Sequence, residues 1–231
     1  MNPVELSGIT FAYGEGALRR EVLREVDLSI APGEIVLLTG PSGSGKTTLL
    51  TLIGALRAMQ DGQARVLGQE LAGAAESDRV RLRGRIGFIF QNHNLLGFLT
   101  ARQNVAMSLE LHGGMSEGER LARAGEMLAA VGLADHAEKP PSRLSGGQRQ
   151  RVAVARALAG EPGLILADEP TAALDKVSGQ EVVRLLRDLA KTRGVPILLV
   201  THDPRILDIA DRIVAMEDGR IVQPARAAQP A

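Results

Sequence analysis

Three short runs of residues have the types and spacing to do chemistry on a phosphate. Gly40-Pro41-Ser42-Gly43-Ser44-Gly45-Lys46-Thr47 has a glycine, four residues, then Gly-Lys-Thr, with Thr48 behind it. This is the phosphate-binding P-loop pattern. Gly40, Gly43 and Gly45, with Ser42 and Ser44 between them, let successive backbone N–H groups converge on phosphate oxygens, and a helix starting there adds its positive end. Lys46 is placed for the β- and γ-phosphates and the Thr47 hydroxyl for Mg²⁺. The second run is Asp168-Glu169, directly after the apolar stretch Leu164–Ala167. At the C-terminal end of a parallel strand, such a pair faces the ligand edge of the sheet. There Asp168 can hold Mg²⁺ through its water shell and Glu169 can polarise an attacking water; the alternative is an acidic pair that starts a helix. The third run, Leu144-Ser145-Gly146-Gly147-Gln148, makes a helix N-terminus whose N–H groups are open to an anion. Ser145 adds a hydroxyl there, and equally suits an ordinary N-cap.

These runs need elements to position them. Val4–Tyr13 and Val22–Ile30 read as strands separated by a turn around Gly14–Gly16. Ile35–Leu38, Leu164–Ala167 and Ile197–Val200 are short and wholly apolar, as buried parallel strands are. Thr47–Ala58 has helical spacing, and Val182, Leu185, Leu186 and Leu189 mark an amphipathic helix closed by Gly194. Strand, helix and strand in this order predict βαβ crossovers, and Ile213–Val222 predicts a hairpin around Asp218-Gly219. From about Thr100 to Gly160 nearly every segment reads as helix. Thr100 starts one, Ser116 with Glu119 forms a capping box for the next, and another begins near Ser145. The expected fold is therefore an α/β core carrying an all-helical insertion, with a disordered Pro/Ala-rich tail over residues 223–231.

Composition narrows the function. Lys+Arg and Asp+Glu are both 27 of 231 residues, which argues against a general polyanion binder. The chain has no cysteine, so a thiol nucleophile, a zinc-thiolate site and an iron–sulfur cluster are excluded. His93, His112 and His136 show no metal-ligand clustering and read as surface or local structure. No apolar run approaches the ~18 residues of a membrane span, and Met1–Glu5 lacks the features of a signal peptide. A cytoplasmic chain is expected.

Taken together these residues resemble the ATPase subunit of ABC transporters, over about residues 4–222 and in that family's motif order. The resemblance implies a P-loop NTPase of ABC type, with a RecA-like, mainly parallel sheet and an N-terminal antiparallel β part. Its ATP-binding core would be residues 1–90 with 161–222, and its helical signature subdomain 91–160. ATP and Mg²⁺ are the implied ligands. Gln91, after the strand Ile86–Phe90, falls at the Q-loop and would join Thr47 and Asp168 at the metal. Tyr13 falls where an aromatic stacks on adenine, Asp175 in Ala173-Leu174-Asp175 at the D-loop, and His202 at the switch histidine that works with Glu169. Each has a plainer alternative: a half-buried strand residue for Tyr13, a strand end for Gln91, an N-cap for Asp175, a helix N-terminal polar residue for His202.

The family mechanism pairs two copies head to tail, so that Ser145, Gly147 and Gln148 of one cap the ATP held by Lys46 of the other. Transmembrane permease subunits would dock near residues 91–105, putting the chain on the inner face of the cell membrane as a peripheral subunit. Phe90–Leu96 and Leu99–Val105 resemble the MacB/LolD branch, and Ala101-Arg102-Gln103-Asn104 its DevA-like exporters, which work with a membrane-fusion protein. One rival is an FtsE-like ATPase that regulates envelope enzymes without moving a solute. A second is a soluble ATPase acting on nucleic acid, which needs a longer chain and which the neutral charge disfavours. A third is a non-catalytic ATP-binding regulator, against which the presence of Glu169 and His202 argues.

Overall fold

Strands that are apolar on both faces organise the molecule. The computed structural model describes residues 1–201 and 203–225. β1 (Val4–Tyr13), β2 (Arg20–Ile30) and β3 (Ile35–Thr39) lead into α1 (Lys46–Ile53); β4 (Asp61–Val66), β5 (Gln69–Glu70), α2 (Glu76–Gly84) and β6 (Ile86–Ile89) follow. Next come α3 (Ala101–Ala106), α4 (Glu117–Ala130) and α5 (Gly146–Ala159), all between β6 and β7 (Leu164–Asp168). The chain continues with α6 (Lys176–Arg193), β8 (Ile197–Val200), the single turn α7 (Pro204–Leu207), β9 (Arg212–Glu217) and β10 (Arg220–Ala225). One sheet is antiparallel, in the order β2-β1-β4-β5. The other has the order β10-β9-β3-β8-β7-β6, parallel throughout except for the edge pair β9–β10.

Side chains on a strand alternate between faces, and here the alternation sorts residues into two cores. Val36, Leu38, Leu164, Leu166, Leu198 and Val200 pack with the antiparallel sheet and α1. Ile35, Leu37, Ile165, Ala167, Ile197 and Leu199 pack against residues of α3 to α6. The uninterrupted apolar runs of the sequence follow from this, because neither face of β3, β7 or β8 reaches water.

All three helices of the insertion begin with the same reciprocal cap. Thr100 with Gln103, Ser116 with Glu119 and Ser145 with Gln148 each exchange side chain and backbone bonds across three residues. The loop before α3 is tied down by one buried amide. The Asn104 side chain, fully buried, accepts from Leu96 N at 2.8 Å and donates to the carbonyls of Leu96 (3.1 Å), Leu99 (3.2 Å) and Thr100 (3.0 Å).

The structure corrects some sequence expectations. The helix expected over Thr47–Ala58 stops at Ile53. A Cβ on Gly54 would lie 2.5 Å from the Phe88 ring, and Ala55 turns the chain at φ 54°, so the backbone leaves the helix to pass over β6. The chain from Gln223 is not wholly a tail: β10 runs to Ala225, with Pro224 opposite Val214 and Ala225 opposite Ile213. Residues 226–231 and His202 lie outside the described residues. Sequence reasoning also missed β4, β5 and α2. Only Leu82 of α2 is buried, so the helix shows no apolar stripe. Glu76 pairs instead with Arg79 and Arg83, acid in the first turn and base later, as the helix dipole favours.

Asn104→Ala removes the amide that holds these backbone groups, leaving buried acceptors without a donor. A loss of about 2–3 kcal/mol is expected, read as a lower urea midpoint with unchanged slope.

Candidate functional site

The parallel register sets Leu38 beside Val200 and Val200 beside Asp168, so the chain leaves β3, β7 and β8 at one edge of the sheet. From β3 it enters the glycine loop. Gly40, Gly43 and Gly45 all have positive φ (139°, 82° and 104°), which is why other residues are unsuited there. The back of the loop is closely braced. A Cβ on Gly40 would lie 2.0 Å from the Met216 carbonyl oxygen, and one on Gly45 would lie 2.9 Å from that of Val22. The N–H of Gly219, in the turn joining β9 to β10, donates to the Ser44 carbonyl at 3.1 Å. The front is open at Gly43, where nothing stands within 4 Å of an added Cβ.

Lys46 begins α1 and is buried, 9% exposed. Its ammonium donates to the carbonyls of Gly40 and Pro41, both at 2.8 Å, and lies 3.4 Å from Ser44 Oγ. Burial pushes its pKa below the ordinary lysine value, and the nearby carboxylates of Asp168 and Glu169 push it back up. A cation curled into a ring of backbone is the arrangement that an entering polyphosphate would satisfy. Thr47 Oγ1 donates to Asp168 Oδ2 at 2.9 Å, bringing together residues 121 apart in sequence. An alcohol and a carboxylate oxygen side by side form a donor set suited to a hard cation such as Mg²⁺.

Glu169 follows in an unusual backbone state, φ 51°. Its N–H donates to the Val200 carbonyl at 2.7 Å, and its Oε2 accepts from the Thr201 hydroxyl at 2.8 Å. Tyr13 ends β1 with its ring partly exposed and its hydroxyl 3.2 Å from Thr48 Oγ1, next to the glycine loop. The Arg57 guanidinium stands 4.9 Å over that ring, and Phe11 meets it edge-on at 5.1 Å. Sequence reasoning missed Arg57 because it fell inside the expected α1, whereas the early helix end swings it onto Tyr13.

Among the described residues, no hydrogen bond joins Gln91, Ser145, Gly147 or Gln148 to residues 40–48. The Ser145 hydroxyl accepts from Gln148 N at 3.2 Å, and the Gln148 side chain accepts from Ser145 N at 2.9 Å, so Ser145 is the N-cap of α5, the plainer of the two alternatives raised for it. Gly147 packs on the next loop: a Cβ there would touch Ala173 O and Leu174 Cδ2 at 3.4 Å. Asp175 is the N-cap of α6, accepting from Ser178 N (3.0 Å) and Ser178 Oγ (2.8 Å), and these bonds hold its carboxyl below the usual range.

Gln91 is exposed, and its carbonyl faces His93 Nδ1 at 2.9 Å. The other ring nitrogen of His93 faces the Gly146 carbonyl at 3.1 Å, so this histidine links Gln91 to the start of α5. Arg156 of α5 adds bonds to the carbonyls of Asn94 (2.6 Å) and His93 (2.8 Å). No pattern of residue types in the sequence marks these long-range contacts.

The family model described as "ABC transporter" matches residues 23–172. The macrolide export ATP-binding/permease protein MacB of Marinobacter nauticus is 45% identical over 228 residues, 98% of this chain and 35% of that protein. The lipoprotein-releasing system ATP-binding protein LolD of Anaeromyxobacter dehalogenans is 48% identical over 221 residues, 95% of this chain and 92% of that one. The chain thus spans about a third of the length of the MacB relatives it matches, 35% and 33% for two of them. Among solved structures, the dimeric post-hydrolysis ATP-binding cassette MJ0796 bound to ADP and Pi has a TM-score of 0.92 at 38% identity, covering 98% of this chain and 100% of that one.

Lys46→Ala deletes the one side-chain cation inside the glycine loop. Binding of a fluorescent ATP analogue should be lost while the fold persists; wild-type affinity in a titration would show that the loop is not the phosphate site.

Proposed function

This chain belongs to the ABC transporter family, and from that premise we propose that it is the ATP-hydrolysing subunit of an exporter. Two copies sandwich two ATP molecules head to tail and drive separate transmembrane subunits. The observation that carries this reading is the Thr47–Asp168 contact at 2.9 Å beside the buried Lys46, with Glu169 next in the chain. The relatives named as a macrolide export protein and a lipoprotein-releasing ATP-binding protein support the exporter class, and the dimeric cassette supports the pairing.

In this reading residues 1–90 and 161–222 are the ATP-binding core, and residues 91–160 form the helical subdomain that carries the signature run. Lys46 exchanges the carbonyls of Gly40 and Pro41 for β/γ-phosphate oxygens, and the loop N–H groups from Ser42 to Thr48 line the rest of the polyphosphate. The adenine stacks on Tyr13. Thr47 and Asp168, with Gln91 as a third group, would hold Mg²⁺, which neutralises charge on the phosphates. Glu169 takes the proton of the attacking water, and His202 acts beside it at the γ-phosphate.

In this reading the other copy supplies Ser145, Gly147 and Gln148, with Asp175 at the same contact, so that a single copy does not complete the site; the exposure of Ser145 at the start of α5 supports this.

The chain works as a peripheral subunit on the inner face of the membrane; among its described residues no helix is long and apolar enough to cross one. Permease docking falls near residues 91–105, and a membrane-fusion protein joins through the permease. Phe98 is 82% exposed, and Leu96 beside it 36%, on a loop that Asn104 holds in place. Nearby is a cleft of about 320 Å³ lined by Leu56, Phe88, Phe90, Met107 and Arg156. An exposed apolar patch on a fixed loop suits a protein partner.

Glu169→Gln keeps the shape but removes the base, so hydrolysis should fall ~10²–10⁴-fold with ATP binding retained. The variant should accumulate as an ATP-dependent dimer in light scattering, and adding Ser145→Arg should return it to monomer. Wild-type turnover in Glu169→Gln would refute the base, and a dimer indifferent to Ser145→Arg would refute the head-to-tail pairing. Charged replacements at Leu96 and Phe98 are expected to spare the ATPase of the isolated chain and abolish transport by the assembled exporter; loss of folding would instead make this patch core.

A further inference from the structure

Glu169 is a flexible side chain in a strained backbone state, yet two atoms at the end of β8 hold it. Its N–H reaches the Val200 carbonyl at 2.7 Å, and its Oε2 takes the Thr201 hydroxyl at 2.8 Å. Thr201 is 1% exposed, so this bond forms away from competing water, where a charge-assisted hydrogen bond is strong. The hydroxyl direction is also determined. Thr201 Oγ1 accepts from the Asp203 N–H at 3.1 Å, and its single proton is left for Glu169. Threonine is branched at Cβ and stiff at χ1, which fixes the oxygen further than serine would. Asp203 is itself engaged by the hydroxyl of the fully buried Thr171, so the arrangement is anchored on both sides of the site.

We propose that Thr201 is a positioning residue for hydrolysis: its buried hydroxyl holds Oε2 of Glu169, so that Oε1 is presented to the attacking water. This rests on the reading of Glu169 as the base. A carboxylate free to turn about its side-chain torsions spends little time in the attack geometry, and orientation is a large part of the rate of such a step. Thr201 is buried and acts through Glu169, so its effect falls on turnover and not on ATP binding.

The test compares Thr201→Val, which keeps the shape without the hydroxyl, with Thr201→Ser, each also combined with Glu169→Gln. Thr201→Val should lower kcat about ten- to a hundred-fold, the scale of one hydrogen bond to a charged group. KM for ATP should stay within about twofold, on the view that uniform binding is untouched. Thr201→Ser should restore most of the rate. In the Glu169→Gln background Thr201→Val should cause no further loss, because the group it acts through is already gone. Thr201→Ala carries the same comparison if the valine variant does not fold. Wild-type kcat without the hydroxyl, a serine variant as slow as valine, or full additivity with Glu169→Gln would each overturn the proposal. Glu169→Gln at the wild-type rate would instead overturn the base assignment on which it stands.

Discussion

A lysine ammonium is costly to bury, and the fold around Lys46 is built so that its charge is answered from every side. Two backbone carbonyls of its own loop receive its protons at 2.8 Å, and Asp168 and Glu169 supply the opposing field. Meeting both conditions constrains the rest. The loop must curl tightly enough to turn its carbonyls inward, which requires positive φ at Gly40, Gly43 and Gly45. The carboxylates must arrive from a strand whose end lies at the same sheet edge, which requires β7, β8 and β3 in parallel register. A parallel sheet needs both faces covered, and the two cores do this.

One helix joins the parts of the site that do not touch directly. α5 begins at Gly146, whose carbonyl faces His93; its Gln150, buried, donates to the Pro170 carbonyl at 2.9 Å just after Glu169; and its Arg156 holds the carbonyls of His93 and Asn94. Gly147 lies against the 173–174 segment. A shift of this helix is therefore felt at the segment after Gln91, at the segment after Glu169 and at its own N-terminus together. Packed elements of this kind move as units, because dense contacts do not deform continuously.

Much of this was legible in the sequence, for physical reasons that differ by element. The strands β3, β7 and β8 were readable because burial on both faces leaves an unbroken apolar run, and the β9–β10 turn because Asp218 and Gly219 both take positive φ. The glycine loop and Asp168-Glu169 were readable because their chemistry restricts residue type and spacing. α2 was not, since exposed ion pairs leave no periodic stripe, and β4 was not, since only Ala64 and Val66 face the core. The end of α1 was misjudged because the Gly54–Phe88 approach is a tertiary event. Thr201, His93, Arg57 and Gln150 act through partners far away in sequence, and neither their types nor their neighbours announce it. The Gln103 and Gln148 halves of two capping boxes were open to reading, by the same rule that identified Ser116 with Glu119.

The brace behind the glycine loop has a consequence for folding. Residues 40–46 lean for their shape on Met216 and Gly219, which pack against Gly40 and Gly45 and bond to Ser44. Loop and buttress lie far apart in sequence, so the loop is braced only once the β9–β10 hairpin has docked, a non-local closure of the kind that slows folding.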